Sequence, residues 1–537
     1  MQKDGNDIQA QGYTEILKDT LTCMKILDSR SSDDEIFSEK VKAVRNAFDK
    51  IKEEKYVENF MDFVWQATGG VSQGMFEIAS ALYCVTLDEW FYSWQIDILL
   101  RREMKNNGNF YLLLQLKRQQ EICYFRLNRK QVFIDEWNAN QYFRKEMQKL
   151  LQMNFRKIPV SERQQDFIVI VTTQLLGVHH APTRMTLEFC RIFEKNLKTK
   201  VLLVCALESI CAENINKLGI KQIFSVNYVD ANGFFTISYK DCTIKCYQLF
   251  LNEENQKEQQ DLIQMIYEKK PLFVWQFAGI PSFGSAMQQF TSYYYMQMTQ
   301  GYPAVSADLV INYFQDTRKH HPDAYRMLQD KGVPVADMFF TFTRNSSKGL
   351  LSRRQFQIPE DGFCLGVAGN RLAVECTDEF LRILARVLKK EANIYLVFIG
   401  EADQSLIGHI QKKINLEERC FFLGYQSDPE EALALIDLYV DLPHQGGGYM
   451  GISAISEGKP VICLKGGDVS AKVGEEFCFD SLDEYENEIL KYKNDAGYYK
   501  MKSEAARNRA ESIIVNDEEM ADLISKTIKV GLQEVMV

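Results

Sequence analysis

The stretch "DLPHQGGGYMGISAISEGKPVICLKGGDVSAKVG", from Asp441 to Gly474, holds the densest set of residues suited to chemistry in this chain. An apolar strand-like segment leads into Gly446, Gly447 and Gly448, and a helix-like segment follows. Glycine lets the backbone approach a ligand and adopt positive φ without steric penalty. The following helix turns its free N–H groups and positive dipole end toward the loop. An anion, most naturally a diphosphate, fits such a seat. The loop is neither the G-x-G-x-x-G dinucleotide fingerprint nor the G-x-x-x-x-G-K-[ST] phosphate loop. His444 adjoins the glycines, in reach of phosphate or acceptor.

Two other places carry reactive residue types. Asn370 and Arg371 follow "FCLGVAG", and a guanidinium at a strand end can grip phosphate through two hydrogen bonds. "TTQLLGVHHAPTRMTL" sets Gly177, His179 and His180 after an earlier strand. Histidine titrates near neutral pH and can take a proton or donate to a developing charge. His180 is the first candidate for that role and His179 the second. His320 and His321 read as an exposed loop, and His409 as an inert helix residue. No D-x-D motif stands at a strand end, and Cys242 and Cys246, the one close cysteine pair, lack neighbouring metal ligands. No metal and no cofactor are expected.

Three regions must position these groups. Residues 1–160 read as mainly helical, with apolar residues recurring at three and four. "FYLLLQLKRQQEICYFRLNRKQVFI" reads as a strand-like insert there. Residues 161–350 start a new grammar: "FIVIVTT" is a buried strand, "APTRMTLEFCRIFEKNL" a helix and "KVLLVCAL" the next strand, with "KQIFSV" and "PLFVWQFAG" as later strands. Residues 351–537 repeat it through "FCLGVAG", "TDEFLRILARVLKKE", "NIYLVFIGE", "SLIGHIQKKI", "CFFLGY", "DPEEALALI", "LYVDLP" and "KPVICLKG", and close on a long helical stretch. Two doubly wound α/β domains facing a cleft, with a mainly helical N-terminal region, is the expected architecture.

Composition narrows the class. With 537 residues the chain exceeds one ordinary core, and 46% hydrophobic with 25% charged residues is globular. A formal net charge of −10 disfavours duplex nucleic acid or an anionic membrane as main partner. The 13 cysteines are scattered and mostly lie in apolar runs, as buried thiols do in a reducing compartment. No apolar run approaches the ~18–20 residues that span a bilayer. No signal peptide is evident, and a cytoplasmic location is expected.

On these motifs the chain resembles a GT-B glycosyltransferase, with two Rossmann-like domains, a glycine-bearing loop and "EGKPVI". "GGGYMGISAISEGKPVICLKGGDVSAKVG" is most similar to the O-GlcNAc transferase family and related bacterial cytoplasmic protein glycosyltransferases. Gly467, Ser470, Lys472 and Val473 match that family's "G-x-x-x-(S/A)-(R/K)-V" turn. The resemblance implies a UDP-sugar donor held by Asn370, Arg371, His444, Gly446, Gly447, Gly448, Tyr449, Met450, Gly451, Ser453 and Glu457. It also implies a histidine, His180 or His179, on the acceptor side.

The departures are informative. Many retaining GT-B enzymes carry two glutamates where Gln445 and Ser453 stand here, which argues against that chemistry. The inverting family usually has an acid at the Ser453 position to hold the ribose, and Glu457, one turn later, is the substitute on offer. The reading is metal-independent, inverting transfer to an acceptor, a protein side chain by the resemblance. A catalytically silent GT-B partner of an active transferase is the alternative from another class, and a glycan-polymer transferase is a third.

Overall fold

The computed structural model describes residues 12–23, 34–53, 57–67, scattered positions between 78 and 117, 133–173, 175, 180–207, 232–277, 283–298, 303–313, 318, 321–338, 351–369, 372–402, 404–426, 428–442 and 448–536. Up to residue 150 the described N-terminal residues are helical, with α1 (Asp34–Glu53), α2 (Val57–Ala67) and α3 (Phe133–Leu150). Where the strand-like insert was expected, the described residues are helical. Phe110, Tyr111, Leu113, Leu114 and Lys117 are helical, and Phe133 opens α3. Their three- and four-residue spacing is a helix period that buries Tyr111, Leu113, Leu114 and Lys117 together. Residues 118–132 lie outside the described residues.

The first sheet has eight strands: β1 (Phe167–Thr172), β2 (Lys200–Leu207), β3 (Gly233–Tyr239), β4 (Cys242–Phe250), β5 (Phe273–Phe277), β6 (Ser292–Met296), β7 (Leu309–Asn312) and β8 (Val335–Asp337). Their order is β3-β4-β2-β1-β5-β6-β7-β8, parallel except for the β3–β4 hairpin. β1 is buried along its whole length, as a continuous apolar run at the centre of a parallel sheet requires. Helices α4 (Ala181–Lys195), α5 (Gln256–Lys269) and α6 (Pro322–Asp330) pack around it. Phe189 on α4 meets Trp275 and Phe277 on β5 at ring centroids of 5.6 and 4.9 Å, which fixes α4 above the sheet centre. The hairpin was not anticipated, and "KQIFSV" lies outside the described residues.

The second sheet has six parallel strands: β9 (Phe363–Ala368), β10 (Ile394–Ile399), β11 (Cys420–Phe422), β12 (Leu438–Val440), β13 (Val461–Leu464) and β14 (Cys478–Phe479). Their order, β11-β10-β9-β12-β13-β14, is the 3-2-1-4-5-6 order of a dinucleotide-binding sheet. Helices α7 (Asp378–Lys390), α8 (Gln404–Ile414), α9 (Gly448–Ser456), α10 (Ser470–Val473), α11 (Asp483–Asn494), α12 (Ala496–Ile513) and α13 (Asp517–Met536) complete the region. α7 shows how the local code works. Thr377 Oγ1 caps it through Phe380 N–H, acids fill its first turn, and Lys389 and Lys390 its last. "DPEEALALI" forms only a short 3-10 helix, Glu431–Leu435.

The closing helical stretch is two helices. α12 ends at Ile513 and Asn516 caps α13, its Oδ1 accepting from Glu518 and Glu519 N–H. α13 then returns to the first sheet, packing on α4, β7 and β8. Arg191 on α4 pairs with Asp517 in the first turn of α13 and with Glu188 at 2.6 Å. Among the described residues, no helix is long and apolar enough to cross a membrane.

Candidate active site

In an open parallel sheet, ligands bind beyond the carboxyl ends of the strands, where the strand order reverses. In the second sheet that point lies between β9 and β12. β9 runs out into Gly369 and then residues 370–371, and β12 into Leu442 and then residues 443–447. His179, Asn370, Arg371, His444, Gly446 and Gly447 lie outside the described residues. Those that follow the loop are described.

Gly448 opens α9, and the backbone is bare there for a visible reason. A Cβ at Gly448 would lie 2.2 Å from Lys472 Nζ. Lys472 comes from α10, the "SAKV" turn, and is buried, only 5% exposed. Burial pulls its pKa below the ordinary lysine range, with Asp468 acting in the opposite sense. An ammonium and the positive end of a nine-residue helix thus share one buried place. Such a place favours an anion. Lys472 was visible in the sequence only as a motif match, and its packing against Gly448 is a tertiary fact.

The far end of α9 explains "EGKP". Gly458 has φ +70° and caps the helix, with its N–H bonded to Ile455 O at 3.0 Å and Lys459 N–H bonded to Ala454 O at 2.9 Å. Arg507 of α12 lies where a side chain at Gly458 would begin. Glu457 sits at this carboxyl end, about 13 Å along the helix from Gly448 at 1.5 Å per residue. It is therefore remote from the glycine seat.

The carboxylate that meets Ser453 is Glu430. Ser453 Oγ donates to Glu430 Oε1 at 3.1 Å, and Arg184 Nη1 of α4 donates to the same oxygen at 2.6 Å. The Arg184 guanidinium also lies 5.0 Å from the centroid of the Tyr449 ring. Tyr449, Ser453, Glu430 and Arg184 form one cluster built from both sheet domains. Met450 packs half-buried against the core instead, and Gly451 lets Val469 approach closely. Arg184 and Glu430 escaped the sequence reading, because a charged residue inside a helix pattern normally signals a solvated face.

His180 stands at the amino end of α4, with Nδ1 3.0 Å from Thr183 Oγ1. Burial lowers its pKa to about 4, so the ring is neutral at physiological pH. In the tautomer whose Nδ1–H donates to Thr183, Nε2 is left as an acceptor. Of the other histidines, His321 caps α6, and His409 pairs with Asp378 at 3.1 Å.

Comparison with known proteins now adds to this geometry. The family described as Glycosyl transferases group 1 matches residues 351–509. The O-antigen biosynthesis glycosyltransferase WclY of Escherichia coli is 26% identical over 114 residues, 20% of this chain. That match spans 31% of the length of the curated relative. Among solved structures, an O-GlcNAc transferase mutant from Thermobaculum terrenum aligns with TM-score 0.54 at 11% identity, over 98% of each chain. A glycosyltransferase from Rickettsia africae ESF-5 aligns with TM-score 0.50 at 11% identity, over 69% of this chain and 99% of its own. The fold is that of the GT-B class. Within it, the C-terminal region of this chain is a group 1 glycosyltransferase domain.

Proposed function

We propose that the protein transfers a sugar from a UDP-sugar to an acceptor by metal-independent, inverting transfer. The observation that carries this reading is the buried Lys472 ammonium against Gly448, at the amino end of α9. The acceptor heteroatom attacks the anomeric carbon, the bond from that carbon to the diphosphate oxygen breaks, UDP leaves with the bonding pair, and the acceptor's proton passes to the departing diphosphate or to water. Lys472, the first N–H groups of α9 and Arg371 meet the charge that develops on the diphosphate, a preorganised electrostatic contribution. His180 Nε2 accepts the acceptor's hydrogen bond and orients it. A base with a pKa of about 4 holds a proton weakly, so positioning is its larger role.

The resemblance of residues 446–474 to the O-GlcNAc transferase family supports a protein side chain as acceptor. A second reading, a growing glycan as acceptor, is favoured by the likeness to an O-antigen biosynthesis glycosyltransferase. The test is calorimetry with UDP, followed by incubation with each UDP-sugar and either candidate protein or oligosaccharide acceptors, read by intact mass. A sugar-sized mass gain is expected on one acceptor class. Absence of UDP binding at millimolar nucleotide would instead support a catalytically silent partner of another transferase.

A further inference from the structure

Resting on the donor-site reading above, we infer that Arg184 is a positioning residue that sets the register between the acceptor-side domain and the donor helix α9. The two ends of the proposed reaction sit on different domains. His180 belongs to α4 and Gly448 to α9, and α13 with its Asp517–Arg191 pair ties the two domains at the far end of α4 from His180. Arg184 spans that gap. It lies one turn from His180 on the same helix, with its N–H bonded to His180 O at 2.9 Å. Its guanidinium engages two residues of the second domain, Glu430 by an ion pair and Tyr449 by its ring, and Ser453 shares the same Glu430 oxygen. Tyr449 and Ser453 occupy the first two turns of α9. One rigid path therefore runs from the acceptor histidine to the residue beside Gly448.

The chemistry of the contact suits a register pin better than an adhesive. The Arg184 and Glu430 side chains are 10% and 11% exposed, so the pair is largely out of water. A buried ion pair gains little net stability, because desolvation offsets its attraction. Its geometry is nevertheless strict, since one misplaced partner leaves a buried charge unmatched. Separating the domains rehydrates both charges together. Such a contact specifies one arrangement of the cleft without gluing it shut.

The test uses Arg184→Gln, Glu430→Gln and the exchanged pair Arg184→Glu with Glu430→Arg in the full chain. Losing one charge-assisted contact made in the transfer-competent arrangement should lower kcat about 10–100-fold. UDP affinity should stay within threefold, and donor hydrolysis by water should rise relative to transfer. The exchanged pair should recover at least tenfold of the lost kcat. An unchanged kcat and hydrolysis-to-transfer ratio in both single variants would overturn the inference. So would a kcat loss accompanied by an equal loss of UDP affinity. Small-angle scattering of the unliganded chains reads the register without catalysis. Both single variants should show a broader distance distribution than wild type, and the exchanged pair should narrow it again. If the wild-type chain turns over no UDP-sugar, the glycosyltransferase reading fails on its own, and an unchanged scattering distribution in both variants then refutes the pin.

Discussion

Replacing Lys472 by methionine separates a binding role from a structural one. The side chain is buried, and burial penalises its charged form. Methionine keeps the length and most of the volume, and volume-conserving core exchanges usually change stability by less than about 1.5 kcal/mol. The folded chain should therefore survive, with its unfolding midpoint in urea lowered by no more than the support Lys472 gives to buried Asp468. Donor binding should not. A charge-assisted hydrogen bond to phosphate is worth about 1.5–3 kcal/mol, or roughly 10–100-fold in the dissociation constant of UDP. The pH dependence gives a second signature. Unfolded lysine keeps its proton up to its ordinary value of 10.5, whereas the folded, unliganded chain releases it earlier. Stability of the free protein thus rises with pH across that window. Bound diphosphate restores the proton, so wild-type affinity for UDP falls as pH rises through the lowered pKa, and the Lys472→Met variant lacks this limb. Gly448→Ala reaches the same end by another route, because its methyl would displace the ammonium from 2.2 Å away. Isothermal calorimetry and urea titration of the three proteins are the assays. UDP affinity within threefold of wild type in Lys472→Met would refute the anion seat, and a stability loss above about 3 kcal/mol would make Lys472 a structural residue.

Two other expectations are direct. If neutral His180 orients the acceptor, transfer should stay flat from about pH 8 to 5 and fall as pH drops through about 4, because burial lowers the imidazole pKa to that value. A limb at the ordinary 6.5, measured as kcat against pH, would remove His180 from the role. The same shift makes the folded chain lose stability as pH falls from 6.5 toward 4, where only the unfolded histidine takes a proton. Gly458→Ala should destabilise the second domain by about 1–2 kcal/mol, since a side chain at φ +70° is strained and Arg507 already fills the space. Denaturant unfolding followed by fluorescence checks this, and an unchanged midpoint would show that α12 yields freely.

Much of the fold was written in local pattern. β1, β2, β5, β9, β10 and β13 were legible because strands buried on both faces must be apolar throughout. α7 was legible because its cap, first-turn acids and last-turn lysines are all local signals. The first part of the insert was misread because the helical spacing of Tyr111, Leu114 and Lys117 was passed over, while residues 118–132 lie outside the described residues. At the site, the helix opening at Gly448 was readable, since glycines beside a strand end followed by helix-forming residues are themselves a sequence feature.

What the sequence alone determined is the strand–helix alternation, the run of glycines ahead of α9 and the histidine ahead of α4. Each follows from residues close together in the chain. The partners of the seat were decided by tertiary structure. α4 carries Thr183, Arg184, Thr186, Glu188 and Arg191, a composition that reads as a water-facing helix, yet all five are buried. The reason is that α13 returns to cover one side of α4 while the second domain supplies Glu430 and Tyr449 to another. Glu430 reaches Arg184 across 246 residues of chain, and Lys472 reaches Gly448 only because α10 packs on α9. Periodicity reports which residues share a face, and only the packing of distant elements reports what that face meets.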